Sequence, residues 1–172
     1  MQISLAEAVA LRSVISRRIQ ELINERSEIA VVSVPQGEKY EKPNRTVEAL
    51  TAEMNEVRTH FRKLDIEMAK ANIQHTFEWD QQPITIMEAI ELAKQMRGEL
   101  RDLKELAARK KQDYSPHYGD VVMVEYALYD PDLYREKAKK WERKVNRLSS
   151  LIEAQNHKVT FDFPPATFYL GE

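Results

Sequence analysis

The chain has no cysteine among its 172 residues. That excludes disulfides, thiolate metal sites and cysteine nucleophiles together. Glycine is scarce, four in all, which argues against β folds built from many tight turns. No stretch approaches the roughly 20 consecutive apolar residues needed to cross a bilayer. An excess of either charge is lacking too. The formal balance is −2, so no global field draws the chain to nucleic acid or an anionic membrane. Charged residues make up 31% and hydrophobic residues 42% of the chain, interleaved throughout. That mixture suits long amphipathic helices with charged outer faces. Residues 1–11 have no cationic start, and Glu7 interrupts their apolar run. Nothing there reads as a signal peptide. The expectation is a soluble, cytoplasmic protein, and the length points to one domain.

Four apolar seams organise the sequence. The clearest runs through Val47, Leu50, Met54, Val57, Phe61, Leu64, Met68 and Ala71, at alternating spacings of three and four. This is the heptad period of helices lying side by side. It predicts a helix over 46–72. Ser4 and Glu7 form a capping-box pair before Leu5, Ala8, Leu11, Ile15, Ile19 and Leu22, predicting a helix over 4–27. Thr85 and Glu88 repeat the signal before Ile86, Ala89, Ala93, Met96, Leu100, Leu103 and Ala107, a helix over 85–111. Gly98 inside it, which costs about 1 kcal/mol against Ala, suggests a close helix–helix approach. Asp130 followed by Pro131 is a strong start for a fourth helix over 130–156. Its seam is Tyr134, Ala138, Trp141, Val145, Leu148 and Ile152.

Short β-prone runs fall between the helices, at 29–34, 73–79, 121–128 and 158–163. The fold class expected is mainly α. Four long antiparallel helices form a bundle, residues 1–172 make a single helical-bundle domain, and short β-strand pairings sit at the ends. Helix directions place 29–34 with 121–128 at one end and 73–79 with 158–163 at the other.

Groups able to carry chemistry are sparse. The histidines, His60, His75, His117 and His157, show no HExxH spacing. His75, Glu78 and Asp80 come closest to metal spacing, but on a strand His75 and Glu78 point oppositely. No metal and no cofactor is implied. Asp113, His117 and Asp120 surround Ser115, yet no nucleophile-elbow glycines flank that serine. Catalytic residues are therefore not assigned, and the balance leans away from an enzyme. Five tyrosines fall between 114 and 134, and tyrosine suits interfaces with its apolar body and polar tip. The candidate ligand or partner surface is Tyr114, His117, Tyr118, Tyr126, Tyr129 and Tyr134, with Arg109 for an anionic group. On the fourth helix Lys137, Lys140 and Lys144 share one side. Acids interrupt them, so they read as a solvated face rather than a phosphate-binding one.

Three motifs carry a family resemblance. They are LAEAVALR at 5–12, GEK at 37–39 and the KAN…T…TIMEAI run of 70–90. Together they resemble a group of small bacterial and phage proteins of unknown function, first named for a protein of the diphtheria bacillus. Some members of the group are labelled septicolysin-like. The resemblance implies a helical fold and a bacterial or phage source, and it supplies no catalytic residues. The chain departs from the pattern at Gln81, Gln82 and Pro83 and in the tyrosine-rich stretch.

The functional expectation is a helical protein acting by protein–protein interaction or self-assembly, as a homo-oligomer or with another protein. Membrane and nucleic acid are not expected as partners. The alternative is a small-ligand or nucleotide-binding protein, or an enzyme, with a Tyr- and His-lined pocket at a bundle end.

Overall fold

The helix starts follow the chemistry of their first residues. The Ser4 hydroxyl accepts from the Glu7 amide (3.2 Å), and the Glu7 carboxylate accepts from the Ser4 amide (2.7 Å). That double bond satisfies two amides left over at a helix start, and it holds Glu7 below the usual carboxylate range. Thr46 accepts from the Ala49 amide at 3.1 Å and Thr85 from the Glu88 amide at 3.0 Å. Of the two capping boxes expected, only that of Ser4 has both bonds. Asp130 accepts from the Asp132 amide at 3.1 Å, with Pro131 first in the helix.

The computed structural model describes residues 1–114 and 123–171. The order of elements is β1 (Gln2–Ser4), α1 (Leu5–Ile29), α2 (Val47–Gln74), β2 (Thr76–Trp79), β3 (Gln82–Thr85), α3 (Ile86–Ala108), β4 (Gln112–Tyr114), β5 (Val124–Tyr126), α4 (Pro131–Lys158), β6 (Thr160–Asp162) and α5 (Ala166–Leu170). The fold is mainly α, with four long helices and short antiparallel strand pairs. No helix is long and apolar enough to cross a membrane, among the described residues.

The chain divides into two compact units. The first comprises residues 1–75 and 155–172. Here α1 and α2 run antiparallel, as cross-helix bonds from Arg12 to Asp65 and from Arg18 to Glu53 require. Their seams bury Leu11, Ile15, Leu22, Leu50, Val57 and Leu64. Each such side chain contributes about 1.5–3 kcal/mol by leaving water. The β1–β6 ribbon and α5 add Ile3, Phe163 and Ala166 to the same core.

The second unit comprises residues 76–154. Contacts between Arg97 and Ser149 and between Lys104 and Glu142 make α3 and α4 antiparallel. The β2–β3 hairpin contributes Trp79 and Ile84 to a core shared with Ala89, Ala93, Met96, Val145 and Leu148.

Several expectations are corrected. Residues 29–34 form no strand. Helix α1 continues to Ile29, and Val31, Val32 and Val34 lie exposed with no strand paired to them among the described residues; β-branched sequence without a pairing edge does not make a sheet. Helix α2 runs to Gln74, so only Thr76–Trp79 of the 73–79 run is strand. It pairs with β3 across a two-residue turn rather than with 158–163. The partner of β6 is β1, the three residues that end in the Ser4 cap. Of 121–128, Val124–Tyr126 is strand and pairs with β4, not with 29–34; residues 121 and 122 lie outside the described residues. The β2–β3 and β4–β5 pairings join strands close in sequence, where loop closure costs least, whereas β1–β6 joins residues 2–4 to 160–162. Helix α3 ends at Ala108, short of 111, because Arg109 turns extended (ψ 150°). Gly98 marks no close approach, since a Cβ there would meet nothing within 4 Å.

Candidate functional site

The tyrosine-rich stretch folds onto the C-terminal end of α3. Tyr114 pairs with Val124 and Gln112 with Tyr126 across the β4–β5 ribbon. The alternation of strand side chains then sets Tyr114 and Tyr126 diagonally on one face. Both are largely exposed, at 70% and 64%, and Leu128 beyond them is 98% exposed. On the other face Asp113 stands opposite Glu125. Lys110 lies 3.0 Å from Asp113 and, with the Tyr114 amide, holds that carboxyl below its ordinary range.

Tyr129 and Tyr134 do different work. The Tyr129 hydroxyl donates to the Leu106 carbonyl at 2.9 Å, and Arg135 donates to the Ala107 carbonyl at 3.3 Å. These carbonyls lie in the last turn of α3, where i to i+4 partners run out; that of Leu106 also accepts from the Arg109 amide at 3.4 Å. Tyr134 packs edge-on against Tyr129, with ring centroids 5.1 Å apart. Arg109 borders an open cleft of about 570 Å³ together with Tyr126 and Tyr129, and has no carboxylate partner among the described residues. Of the residues expected to form one surface, the structure brings Arg109, Tyr126 and Tyr129 to this cleft. Tyr114 lies on the adjoining ribbon and Tyr134 behind Tyr129, as packing. His117 and Tyr118 lie outside the described residues.

The acids at the start of α4 are paired within the chain. Lys111 reaches Asp130 at 3.4 Å and Asp132 at 3.2 Å, and Arg135 reaches Asp132 at 2.7 Å. Hydrogen bonds from Lys111 chiefly keep Asp132 below its usual range. Among the described residues no group of three or more His, Asp or Glu could hold a metal ion. His75 turns its Nδ1 to the Ala71 carbonyl at 2.9 Å, away from that role.

A second surface was not anticipated as a site. Along α3 and α4 lie two adjoining hollows of about 470 and 460 Å³, which share Glu99, Trp141 and Lys144. The Trp141 indole N–H donates to the Met96 carbonyl at 3.0 Å, fixing the ring as the ridge between them. Lys137 sits over Tyr134 (4.7 Å to the centroid), and Lys144 and Arg147 over Trp79 (5.7 and 6.0 Å). The seven-residue step from Tyr134 to Trp141, with lysines at the intervening helical positions, was its only trace in the sequence.

By architecture this is a mainly α protein of two helical hairpins with short terminal ribbons. Neither a family model nor a curated protein matches the chain. A solved structure does: a functionally unknown conserved protein from Corynebacterium diphtheriae, with TM-score 0.69 and 20% identity, covering 94% of this chain and 100% of that one. Likeness at this identity establishes the fold alone. Its diphtheria-bacillus source agrees with the resemblance carried by 5–12, 37–39 and 70–90.

Proposed function

We propose that the protein works by binding proteins, itself first, through the exposed apolar face at the β4–β5 end. The observation behind this is the cluster of Tyr114, Tyr126 and Leu128 held in water on an ordered ribbon and its exit. Single exposed apolar residues are ordinary, whereas a contiguous group marks an interaction surface. With Asp113, Asp130 and Asp132 paired within the chain, association is driven by apolar burial and is insensitive to salt. The reading treats residues 1–172 as one domain in a cytoplasmic setting. A phage or prophage source and a septicolysin-like kinship belong to it as proposals resting on the sequence resemblance. Light scattering tests it: the wild type should weigh more than the 20.1 kDa chain, and a Tyr126→Ser, Leu128→Ser variant should fall to that mass. A wild type that stays at chain mass across concentration rejects self-association.

A second reading rests on Arg109, a guanidinium without a carboxylate partner among the described residues, at a cleft large enough for a small anion-bearing ligand. Thermal-shift measurements with nucleotides check it. A rise in melting temperature that is lost in Arg109→Ala favours this reading, and no rise with any nucleotide removes it.

A further inference from the structure

We infer that the α3–α4 face of the second unit docks an amphipathic helix from a partner protein, with acidic residues along the flank that meets α4. The inference does not depend on the β4–β5 reading.

The shape supports an incoming helix. Trp141 divides the face into two apolar hollows, one floored by Leu92 and Met96 and the other by Leu103. Each has room for one or two large apolar side chains. Their floors at Met96 and Leu103 are seven residues apart on α3, about 10.5 Å along the axis at 1.5 Å per residue. Anchors spaced i and i+7 on a third helix would reach one hollow each. Two antiparallel helices leave such a furrow, and a third fills it at the shallow crossing angle usual in bundles.

The charge supplies the chemistry of the occupant. Lys137, Lys140, Lys144 and Arg147 follow at spacings of three, four and three, a single stripe along one flank of α4. Lys144 is held by Asp80 at 2.6 Å. Lys137 and Lys140 have no carboxylate partner among the described residues, although α4 pairs Lys139 and Arg135 with acids of its own. Across the furrow α3 offers Glu99. A partner helix is therefore favoured when its acids lie over α4 and a base lies over Glu99.

Single-stranded nucleic acid fits less well. Stacking needs an open ring face. Lys137 already covers Tyr134, while Trp79 is only 8% exposed and lies beneath Lys144 and Arg147. Asp80 and Glu99 interrupt the run of cations.

The test uses the full chain and a labelled synthetic helix with leucines at i and i+7 and glutamates along one flank. A control peptide carries lysines in place of those glutamates, and a labelled thymidine oligonucleotide serves as the third probe. The chain has two tryptophans, so the Trp141 indole N–H signal reports on the furrow by NMR. The acidic peptide should bind and shift that signal, and the lysine peptide should not. Lys137→Glu with Lys140→Glu should weaken binding about tenfold while leaving the helical circular dichroism unchanged. Equal binding of both peptides, no effect of the two reversals, or no binding up to about 1 mM overturns the inference. Tighter binding of the oligonucleotide than of the acidic peptide also overturns it, in favour of nucleic acid.

Discussion

In the first unit, α1 and α2 meet through Leu11, Ile15, Leu22, Leu50 and Leu64, all fully buried. In the second, α3 brings the small Ala89 and Ala93 beside Ile86 and Met96, and α4 adds the half-buried Trp141 to Val145 and Leu148. Large aliphatics on both helices of a pair interdigitate and shut out solvent. Alanines set against partly buried aromatics leave hollows at the rim. The polar contacts differ as well. Arg12–Asp65, Arg18–Glu53 and Arg45 with Glu25 and Glu53 join side chain to side chain in the first unit. The second has side-chain pairs of its own, Arg97–Ser149 and Lys104–Glu142, and adds bonds from Trp141, Tyr129 and Arg135 to backbone carbonyls of α3. The first hairpin closes its seam, and the second leaves two open hollows along its face.

The largest expected effect lies in the closed core. Leu64→Ala removes a fully buried side chain and should cost about 3 kcal/mol, the transfer and cavity terms together. Leu103→Ala, at the edge of a hollow in the second unit, should cost less because solvent can enter the space left. Urea unfolding distinguishes them. Far-UV circular dichroism follows all the helices, while fluorescence follows Trp79 and Trp141, both in the second unit. Equal losses for the two variants would break the contrast.

The next effect is electrostatic and belongs to the first unit. The hydrogen bond from Arg18 at 2.6 Å chiefly holds Glu53 below its ordinary range, with Arg45 adding to it against partial burial. A depressed folded-state pKa stabilises above the unfolded value, about 4.3 for Glu. That contribution fades as pH falls below it and through the lower folded value, because the unfolded chain takes up the proton first. Glu53→Gln should cost about 1 kcal/mol at neutral pH and flatten the acid limb of stability against pH. An acid limb unchanged in the variant would remove Glu53 from this role.

Gly98→Ala should raise stability by about 1 kcal/mol, the helix-propensity difference, since its Cβ would enter open space. A loss instead would mean that the α3 surface is closed at this point, which would narrow the contrast between the units.

The sequence revealed the seams because heptad spacing is local and repeats many times. Of the seam positions in α2, Leu50, Met54, Val57, Leu64 and Ala71 are buried. The caps at Ser4, Thr85 and Asp130 were legible for the same reason, each needing only two or three neighbouring residues. Strand pairing was not legible. The link between β1 and β6 joins residues 2–4 to 160–162, and nothing in a three-residue run names so distant a partner. The site divides along the same line. Tyr114, Tyr126 and Arg109 stood out by composition, and so did Tyr129, whose hydroxyl proves to cap α3. The furrow needs Trp79, carried in by a hairpin that folds against α3 and α4, and no spacing along one helix could announce it.

The smallest effect concerns that hairpin. The first unit has its described positive φ angles at glycines, Gly37 (90°) and Gly171 (72°). The second places Asp80 (49°) and Gln81 (66°) there, the two central residues of the β2–β3 turn. Two positive φ values in a two-residue loop are the mark of a type I′ turn, which favours Asp-Gly over Asp-Gln. Left-handed backbone costs a residue with a Cβ about 1–2 kcal/mol. A glycine relieves that strain but adds freedom to the unfolded chain, worth about 0.4–1 kcal/mol in the opposite sense. Gln81→Gly should therefore stabilise by about 0.5 kcal/mol, as the difference of these terms. Fluorescence-monitored urea unfolding measures it, because Trp79 adjoins the turn. A destabilised variant would mean that the Gln81 side chain, rather than its backbone, is what holds the hairpin against the furrow.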